Sequence, residues 1–331
     1  MPRVLITPTT LKDIPGNYLT LLKNAGMEIV TPSEPWDHQL TEDEVLIQLK
    51  GIDATVAGSE PYSAKVLAAH PQLKVIARVG VGYDAVDMNA ASERAVAVSI
   101  TPGANHDTVA EHAFSLLLAL AKHVTIVDRQ MRQGQWIRHC TVPIRNRTLG
   151  IVGLGRIGKA MALRGLAFGM KVIAYEVNTD TAFTHQHHIK LVELPELFKT
   201  SDVISLHAPA TAATKHLVNK ETLALMKPTA LLLNTARGGL IDEPALVDAL
   251  KNGRLAGAGL DVFAQEPPPK DHPFFALENV VMTPHTGGTD TQSRLDMAEL
   301  AAKAIVELSQ GRWPSELIVN QEIRQRFQWN R

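Results

Sequence analysis

The stretch TLGIVGLGRIGKAMALRGLAFGMKVIAYE, residues 148–176, decides the fold. Leu149 to Val152 form a short apolar run of the kind that makes a buried strand, and Lys171 to Glu176 form a second. Between them Gly153, Gly155 and Gly158 stand in the spacing G-x-G-x-x-G, where the strand gives way to a helical pattern. Each glycine has a physical task if a dinucleotide binds there. Gly153 makes the tight turn, Gly155 lets backbone approach a pyrophosphate with no Cβ in the way, and Gly158 lets helix and strand pack closely. The helix that follows points its unpaired N–H groups at the phosphates. Glu176, 18 residues beyond Gly158, ends the second strand where a carboxylate can accept hydrogen bonds from an adenosine ribose. The glycines alone are a weak signal. Strand, turn, helix, strand and terminal acid in this order favour a dinucleotide site over an ordinary glycine-rich turn.

Outward from that stretch, 331 residues leave room for two domains. A hydrophobic fraction of 45%, a charged fraction of 20% and a net charge of −1 describe a globular chain. They offer no basic footprint for nucleic acid or an anionic membrane. Cys140 is the only cysteine, so no intrachain disulfide forms and a reducing cytoplasmic setting is expected. The start MPRVLITPTTLKD lacks the basic-then-apolar layout of a signal peptide, and no run is apolar for long enough to span a bilayer.

Before the glycine stretch, apolar runs at 4–7, 28–32, 54–58, 74–80 and 96–100 alternate with helix-like segments around 16–25, 41–50, 63–70 and 86–95. Alternation of this kind argues for a parallel sheet covered by helices. After Pro102-Gly103 a long helix is expected, with Thr108 and Glu111 at capping-box spacing. Its segment AFSLLLALA is apolar on nearly every face, so it is expected to be buried between domains or against another chain. Residues 124–147, with Trp136 among them, read as an irregular arm suited to a homodimer contact. Beyond the glycine stretch, strands are expected at 203–209, 230–236, 256–263 and 280–285, and helices at 192–200, 219–227 and 242–252. The last of these helices opens with Asp242 as its cap and Pro244 in its first turn. Thr289 and Gln292 offer a second capping box, before a helix running to Gln310.

Three of the later strands end in a residue with chemical potential: Arg237, Glu266 and His285. The C-terminal ends of the strands of a doubly wound sheet line one crevice, so three residues distant in sequence can converge there. Arg237 presents a planar fork that grips a carboxylate and polarises the neighbouring carbonyl. His285 titrates near neutrality and can move a hydroxyl proton. Glu266 can bond the other imidazole nitrogen, fixing the ring and favouring its charged form. Singly, each has an ordinary explanation, an Arg as a surface charge and a His in a Pro-flanked loop as structure. Glycines beside Arg237 and after His285 suggest that a ligand comes close to backbone there. His185, His187 and His188 have no Asp, Glu or Cys at ligand spacing and read as a solvated loop, with no metal expected.

Across nearly its whole length the chain resembles the D-isomer-specific 2-hydroxyacid dehydrogenases, phosphoglycerate dehydrogenase-like. The segments that carry the resemblance are GLGRIGKA (153–160), SLHAPATAATKHLVN (205–219), MKPTALLLNTARGGLIDEPALVDAL (226–250), GAGLDVFAQEP (257–267) and TPHTGG (283–288). It implies an α/β fold of two doubly wound parallel-sheet domains, with a Rossmann NAD-binding domain (103–289) inserted into a discontinuous, flavodoxin-like substrate domain (1–102 plus 290–331). The helices near 108–123 and 290–310 would be the two crossovers. It implies that Arg237, Glu266 and His285 are the catalytic Arg, Glu and His. Arg156 and Ile157 would contact the pyrophosphate, and Glu176 the ribose. His207, Ala208, Thr235, Ala236, Asp261, Gly287 and Gly288 would line the cofactor, with Asp261 near the nicotinamide amide. Arg78, Val81 and Gly82 belong to a loop that resembles the one whose N–H groups face the substrate carboxylate. A homodimer built on the cofactor domains is implied as well.

Around Gly58-Ser59-Glu60-Pro61 there is no Arg of the kind that many phosphoglycerate dehydrogenases use for the substrate phosphate, which weighs against that substrate. The expected activity is hydride transfer between NAD and C2 of a small D-2-hydroxy or 2-keto acid. NAD is favoured over NADP because Glu176 would repel a 2′-phosphate and Val177-Asn178 supply no Arg. Two other readings share the fold. One is a dinucleotide-sensing interaction protein, whose partner grooves and disordered tails have no evident counterpart here. The other is formate dehydrogenase, which pairs its His with Gln where this chain has Glu266.

Overall fold

A computed structural model describes residues 1–33 and 36–329. The described residues fall into two compact units, Met1–Asn105 with Thr289–Arg331, and His106–Gly288.

The first unit contains strands β1 (Arg3–Ile6), β2 (Glu28–Val30), β3 (Ala54–Ala57), β4 (Val75–Arg78) and β5 (Ala97–Ser99). They are all parallel, in the order β2-β1-β3-β4-β5, the flavodoxin-like order. Side chains alternate across the sheet as a period of two requires. Val4, Ile6, Ala54, Val56, Val75, Ala77 and Ala97 face one side. There they meet α1 (Asn17–Asn24) and α12 (Ser293–Ser309), the latter through Ala298, Ala301, Ala302, Ile305 and Leu308. Leu5, Ala57, Ile76 and Val98 face the other side, covered by α2 (Glu42–Gln48), α3 (Ala64–Ala69) and α4 (Met88–Glu93). The segment after α12 returns to the open edge of β5. Val319 N donates to Val98 O and Ile100 N to Leu317 O, with an antiparallel bridge between Ser99 and Ile318.

The second unit contains α5 (His106–Ala121), α6 (Val124–Arg132), β6 (Thr148–Val152), α7 (Arg156–Ala167), β7 (Lys171–Tyr175), α8 (Thr181–Gln186), β8 (Lys190–Leu191), α9 (Leu194–Thr200), β9 (Val203–Leu206), α10 (Lys220–Leu225), β10 (Leu231–Asn234), α11 (Glu243–Lys251), β11 (Gly257–Leu260) and β12 (Val280–Met282). The seven strands form one parallel sheet, ordered β12-β11-β10-β9-β6-β7-β8. Outward from β6 this is the doubly wound arrangement whose order reverses between β6 and β9, beside the glycine turn. Alternate residues again face two cores. Leu149, Ile151, Leu231 and Leu233 meet α5 and α7, while Ile204, Leu206, Leu232 and Leu260 meet α9, α10 and α11.

Several expectations need correction. The apolar α5 packs on its own unit's sheet, over β10, β11 and β12. Strand β11, GAGL, explains the fit: a Cβ on Gly259 would stand 3.0 Å from Leu116 Cβ, and one on Gly257 would stand 3.3 Å from Leu120 Cδ2. Thr108 and Glu111 lie inside α5, which already begins at His106. At α12 the reciprocal cap sits one residue later than expected, with Ser293 N donating to Asp290 Oδ1 and Asp290 N to Ser293 Oγ. The first half of the arm is a helix, α6, and it buries no residue. His185 belongs to α8, and the ring of His187, just beyond it, packs at a tilt against Phe183 with centroids 4.5 Å apart. Among the described residues no single helix is long and apolar enough to cross a membrane.

Candidate functional site

In the second unit the expected residues stand at the C-terminal ends of the parallel strands. After β6, Gly153 turns the chain at φ +93°, and its N–H donates to Tyr175 O. A Cβ on Gly153 would lie 2.8 Å from the His207–Ala208 backbone, and one on Gly158 would lie 2.0 Å from the Gly153 carbonyl oxygen. Gly155 differs: a Cβ there would meet nothing within 4 Å. Two glycines are thus demanded by packing inside the protein, and the third looks onto open space, as the approach of a ligand requires. Gly155 is also the N-cap of α7, which has no side-chain cap and no acid in its first turn, so its positive end is left for an anion. Arg156 is exposed and Ile157 half-buried at that end.

Glu176, just after β7, holds the turn from the other side. Its Oε2 accepts from Leu154 N at 2.6 Å and its Oε1 from Asn178 N at 2.9 Å. The carboxylate is therefore fixed by two amides before any ribose reaches it. Across the order reversal, His207 follows β9 and Thr235 follows β10, strands that pair up to Leu206 and Asn234. His207 Nε2 bonds Ser205 Oγ at 2.8 Å, and burial pushes its pKa down to about 4, so the ring is neutral at neutral pH. His207 Nδ1 and Thr235 Oγ1 are buried with no hydrogen-bond partner among the described residues. Such atoms are costly unless something else meets them. The open face over Gly155, the uncapped helix and these two atoms all fit a bound dinucleotide.

Arg237 is brought round by a side-chain-built turn: Asn234 Oδ1 accepts from Ala236 N, and Asn234 Nδ2 donates to Arg237 O. The guanidinium is half-buried, with one N–H on Ala236 O. The closeness of Gly238 to its surroundings turns out to be internal. A Cβ there would lie 1.9 Å from the Phe263 carbonyl carbon, so that glycine serves strand-end packing and not the ligand approach expected from the sequence.

His285 and Glu266 meet. Nδ1 of His285 lies 2.6 Å from Glu266 Oε2, and Glu266 Oε1 accepts from Phe263 N at 2.9 Å. Burial would push the Glu266 carboxyl up. The hydrogen bond and charge of His285, the Phe263 amide and the charge of Arg237 outweigh it and leave the group below its usual range. Arg237, Glu266 and His285 are therefore one electrostatic group. His285 has φ +54°, in the left-handed region, and its N–H donates to Asp261 O.

Asp261 follows β11 with a side chain only 1% exposed. Its carboxylate takes Thr283 Oγ1 at 2.6 Å, Thr286 N at 2.9 Å and Gly287 N at 2.8 Å. Burial pushes this carboxyl up too, and hydrogen bonds from His112, Thr283, Gly287 and Thr286 bring it below its usual range. Asp261 thus commits its oxygens to the turn that holds His285. The sequence reading passed over His112, which sits on α5 with nothing in its local pattern to mark it.

In the first unit, Arg78 ends β4 and is almost wholly buried, with Nε donating to Gly82 O at 3.0 Å. Gly80, at φ +144°, exchanges hydrogen bonds with Thr101. Val81 and Gly82 are half-buried on this loop. At the neighbouring strand ends a second acid escaped notice. Glu60 is 2% exposed, and its Oε1 accepts from Thr7 Oγ1, Gly58 N and Tyr62 OH.

The family model for D-isomer specific 2-hydroxyacid dehydrogenase, NAD binding domain, matches residues 114–287. The chain is 38% identical to a glyoxylate reductase of Korarchaeum cryptofilum, over 97% of each protein. It superposes on the crystal structure of the TT0316 protein of Thermus thermophilus with a TM-score of 0.85 and 39% identity, covering 96% of this chain and 100% of that one. A D-lactate dehydrogenase of Aquifex aeolicus, crystallised with NAD and lactic acid, gives a TM-score of 0.84 at 28% identity over 96% and 98% of the two chains.

Proposed function

The chain belongs to the D-isomer specific 2-hydroxyacid dehydrogenases and is an NAD-dependent enzyme of that family, and from this premise we propose that it reduces a small 2-keto acid, glyoxylate foremost, with Arg237, Glu266 and His285 as its catalytic residues. The observation that carries the proposal is the 2.6 Å contact between His285 Nδ1 and Glu266 Oε2 within reach of the Arg237 charge. Full-length similarity to a glyoxylate reductase supports the choice of acid.

A nicotinamide cofactor held by the Gly153–Gly158 turn and Glu176 would supply the hydride for reduction and accept it in oxidation. Arg237 holds the keto acid by its carboxylate, two N–H groups to two oxygens, and draws electron density from the adjoining carbonyl. As C2 accepts the hydride, His285 gives the proton on Nε2 to the carbonyl oxygen, which becomes the hydroxyl. Glu266 keeps Nδ1 bonded throughout, so the ring neither rotates nor changes tautomer. In oxidation the same nitrogen takes the proton back. For Arg78, Val81 and Gly82 of the first unit, the proposed role is to bind the acid through the loop's backbone amides. Glu176, already clamped by two amides, would set a fixed negative charge against a 2′-phosphate, which favours NAD over NADP.

Purified protein assayed with NADH against glyoxylate, hydroxypyruvate, pyruvate, phosphohydroxypyruvate and bulkier keto acids tests the reading. Turnover is expected to be fastest with the smallest unphosphorylated acids. Tight NADH binding with no turnover on any of them would sink it. The variant His285→Ala is expected to lose turnover by at least about a thousandfold while still binding NADH.

A second copy of the chain is the partner proposed for α6 and the arm beyond it. Residues 131–142 are all exposed, among them Met131, Trp136, Ile137 and Val142. Trp136 leaves 75% of its surface in solvent, a poor place for an indole unless something covers it. Light scattering should give twice the chain mass, and Trp136→Ser should shift it toward the monomer. A monomeric mass for the intact chain ends the proposal.

A further inference from the structure

The turn that carries His285 is held by a second histidine. His112 Nε2 lies 2.8 Å from Thr283 Oγ1 and 3.4 Å from Asp261 Oδ1. Thr283 has one hydroxyl hydrogen, and it goes to Asp261 Oδ1 at 2.6 Å. The hydroxyl oxygen can then only accept from the His112 ring, which makes Nε2 the protonated nitrogen. Asp261 in turn collects the backbone of the turn. Its carbonyl takes His285 N, and its carboxylate takes Thr286 N and Gly287 N. Three consecutive amides, with His285 first, thus end on one residue. The close fit is visible at Gly287, where a Cβ would lie 2.7 Å from Asp261 Oδ2 and 3.1 Å from His112 Cδ2. His285 itself is a non-glycine residue in the left-handed region, a conformation that persists only where its surroundings impose it.

We propose that His112 is a positioning residue for the acid–base histidine: by donating Nε2–H to the Thr283–Asp261 pair it fixes the 283–287 turn, and through it the approach of the His285 ring to Glu266. Without the donor, Thr283 is free to turn its hydroxyl away, and the carboxylate that binds the turn loses its anchorage to α5. The inference rests on the reading of His285 as the group that moves the proton.

Three variants of the full chain test it, assayed with NADH and glyoxylate: His112→Phe, which keeps the ring's bulk and removes the donor; Thr283→Val, which removes the bridge; and His112→Gln, whose amide N–H reaches to where Nε2 stands. His112→Phe and Thr283→Val are each expected to lower kcat by about tenfold to a hundredfold while the KM for NADH changes by less than about threefold. His112→Gln is expected to recover most of the loss. Unchanged kcat in both His112→Phe and Thr283→Val overturns the proposal. So does a loss that Gln fails to rescue, or one in which KM for NADH rises with the fall in kcat, because either is the mark of a structural role alone. Should His112→Phe fail to fold, Thr283→Val decides by the same two readouts. His285→Ala run alongside separates the two readings. If it retains turnover, the assignment of His285 has failed. If it is inactive while His112→Phe is normal, only the positioning role has.

Discussion

The three glycines of the fingerprint have different reasons to be glycine, and only one of them concerns the ligand. Gly158 is confined by the Gly153 carbonyl, 2.0 Å from where a Cβ would stand, whereas Gly155 has open space above it. Gly158→Ala should therefore destabilise the second unit by about 3 kcal/mol, read in a denaturant melt. Gly155→Ala should leave stability within about 0.5 kcal/mol and weaken NADH binding by at least about tenfold. Equal losses of stability in both variants would contradict this division. Acid should act through His207, whose pKa falls from 6.5 to about 4 on burial. Between those values the unfolded chain binds a proton that the folded one refuses. The penalty is absent above pH about 6.5, grows as pH falls, and is complete near pH 4, at roughly 3 kcal/mol. His207→Gln should flatten that part of the stability profile, and an unaltered slope would refute the assignment. The glycine turn and Glu176 beside it were legible as a local pattern, and the meeting of Glu266 with His285 followed from the convergence of strand ends. His112 and Glu60 were not legible, since what gives each its place is a set of partners contributed by other elements.

Elements were legible in kind and order more than in extent. The expected strand 203–209 ends at Leu206, and 280–285 ends at Met282, because the residues beyond them leave the ladder to build the site. Apolar character continues past the last paired residue, so composition alone cannot mark the point of departure. Caps misled for a related reason. Thr108-x-x-Glu111 has the right spacing, but the helix begins two residues earlier, at His106. Helix α6 escaped because it is short and buries no residue fully: Ile126 and Val127 are only partly covered, and Val124 and Met131 are exposed. The partner of the returning C-terminal segment was invisible in the sequence. Asn320 supplies the join: Val98 N donates to its Oδ1 at 3.0 Å, and its Nδ2 donates to Val96 O at 2.9 Å. Asn320→Ala leaves both backbone groups buried and unmet, and should cost the first unit roughly 2–3 kcal/mol in thermal unfolding, with little change for the second. A melt identical to that of the parent chain would show the join to be dispensable.

At the scale of the whole chain, the α/β character and the parallel sheets follow from the alternation of apolar runs with amphipathic segments. The discontinuity of one unit does not, because nothing in residues 289–329 states which sheet they cover; the family resemblance supplied that expectation. The covering is extensive. One face of the five-stranded sheet meets Ala298, Ala301, Ala302, Ile305, Leu308, Ile318 and Ile323, all from the last stretch of the chain. This arrangement sets a timetable for synthesis. A ribosome delivers the residues of the second unit as one uninterrupted run, so that unit can close while translation continues. The first unit is started earlier and finished later. Its β5 edge and one apolar sheet face wait, unsealed, until α12 and Asn320 emerge from the exit tunnel. During that interval the exposed strand edge is the place where a nascent chain most needs a chaperone's cover.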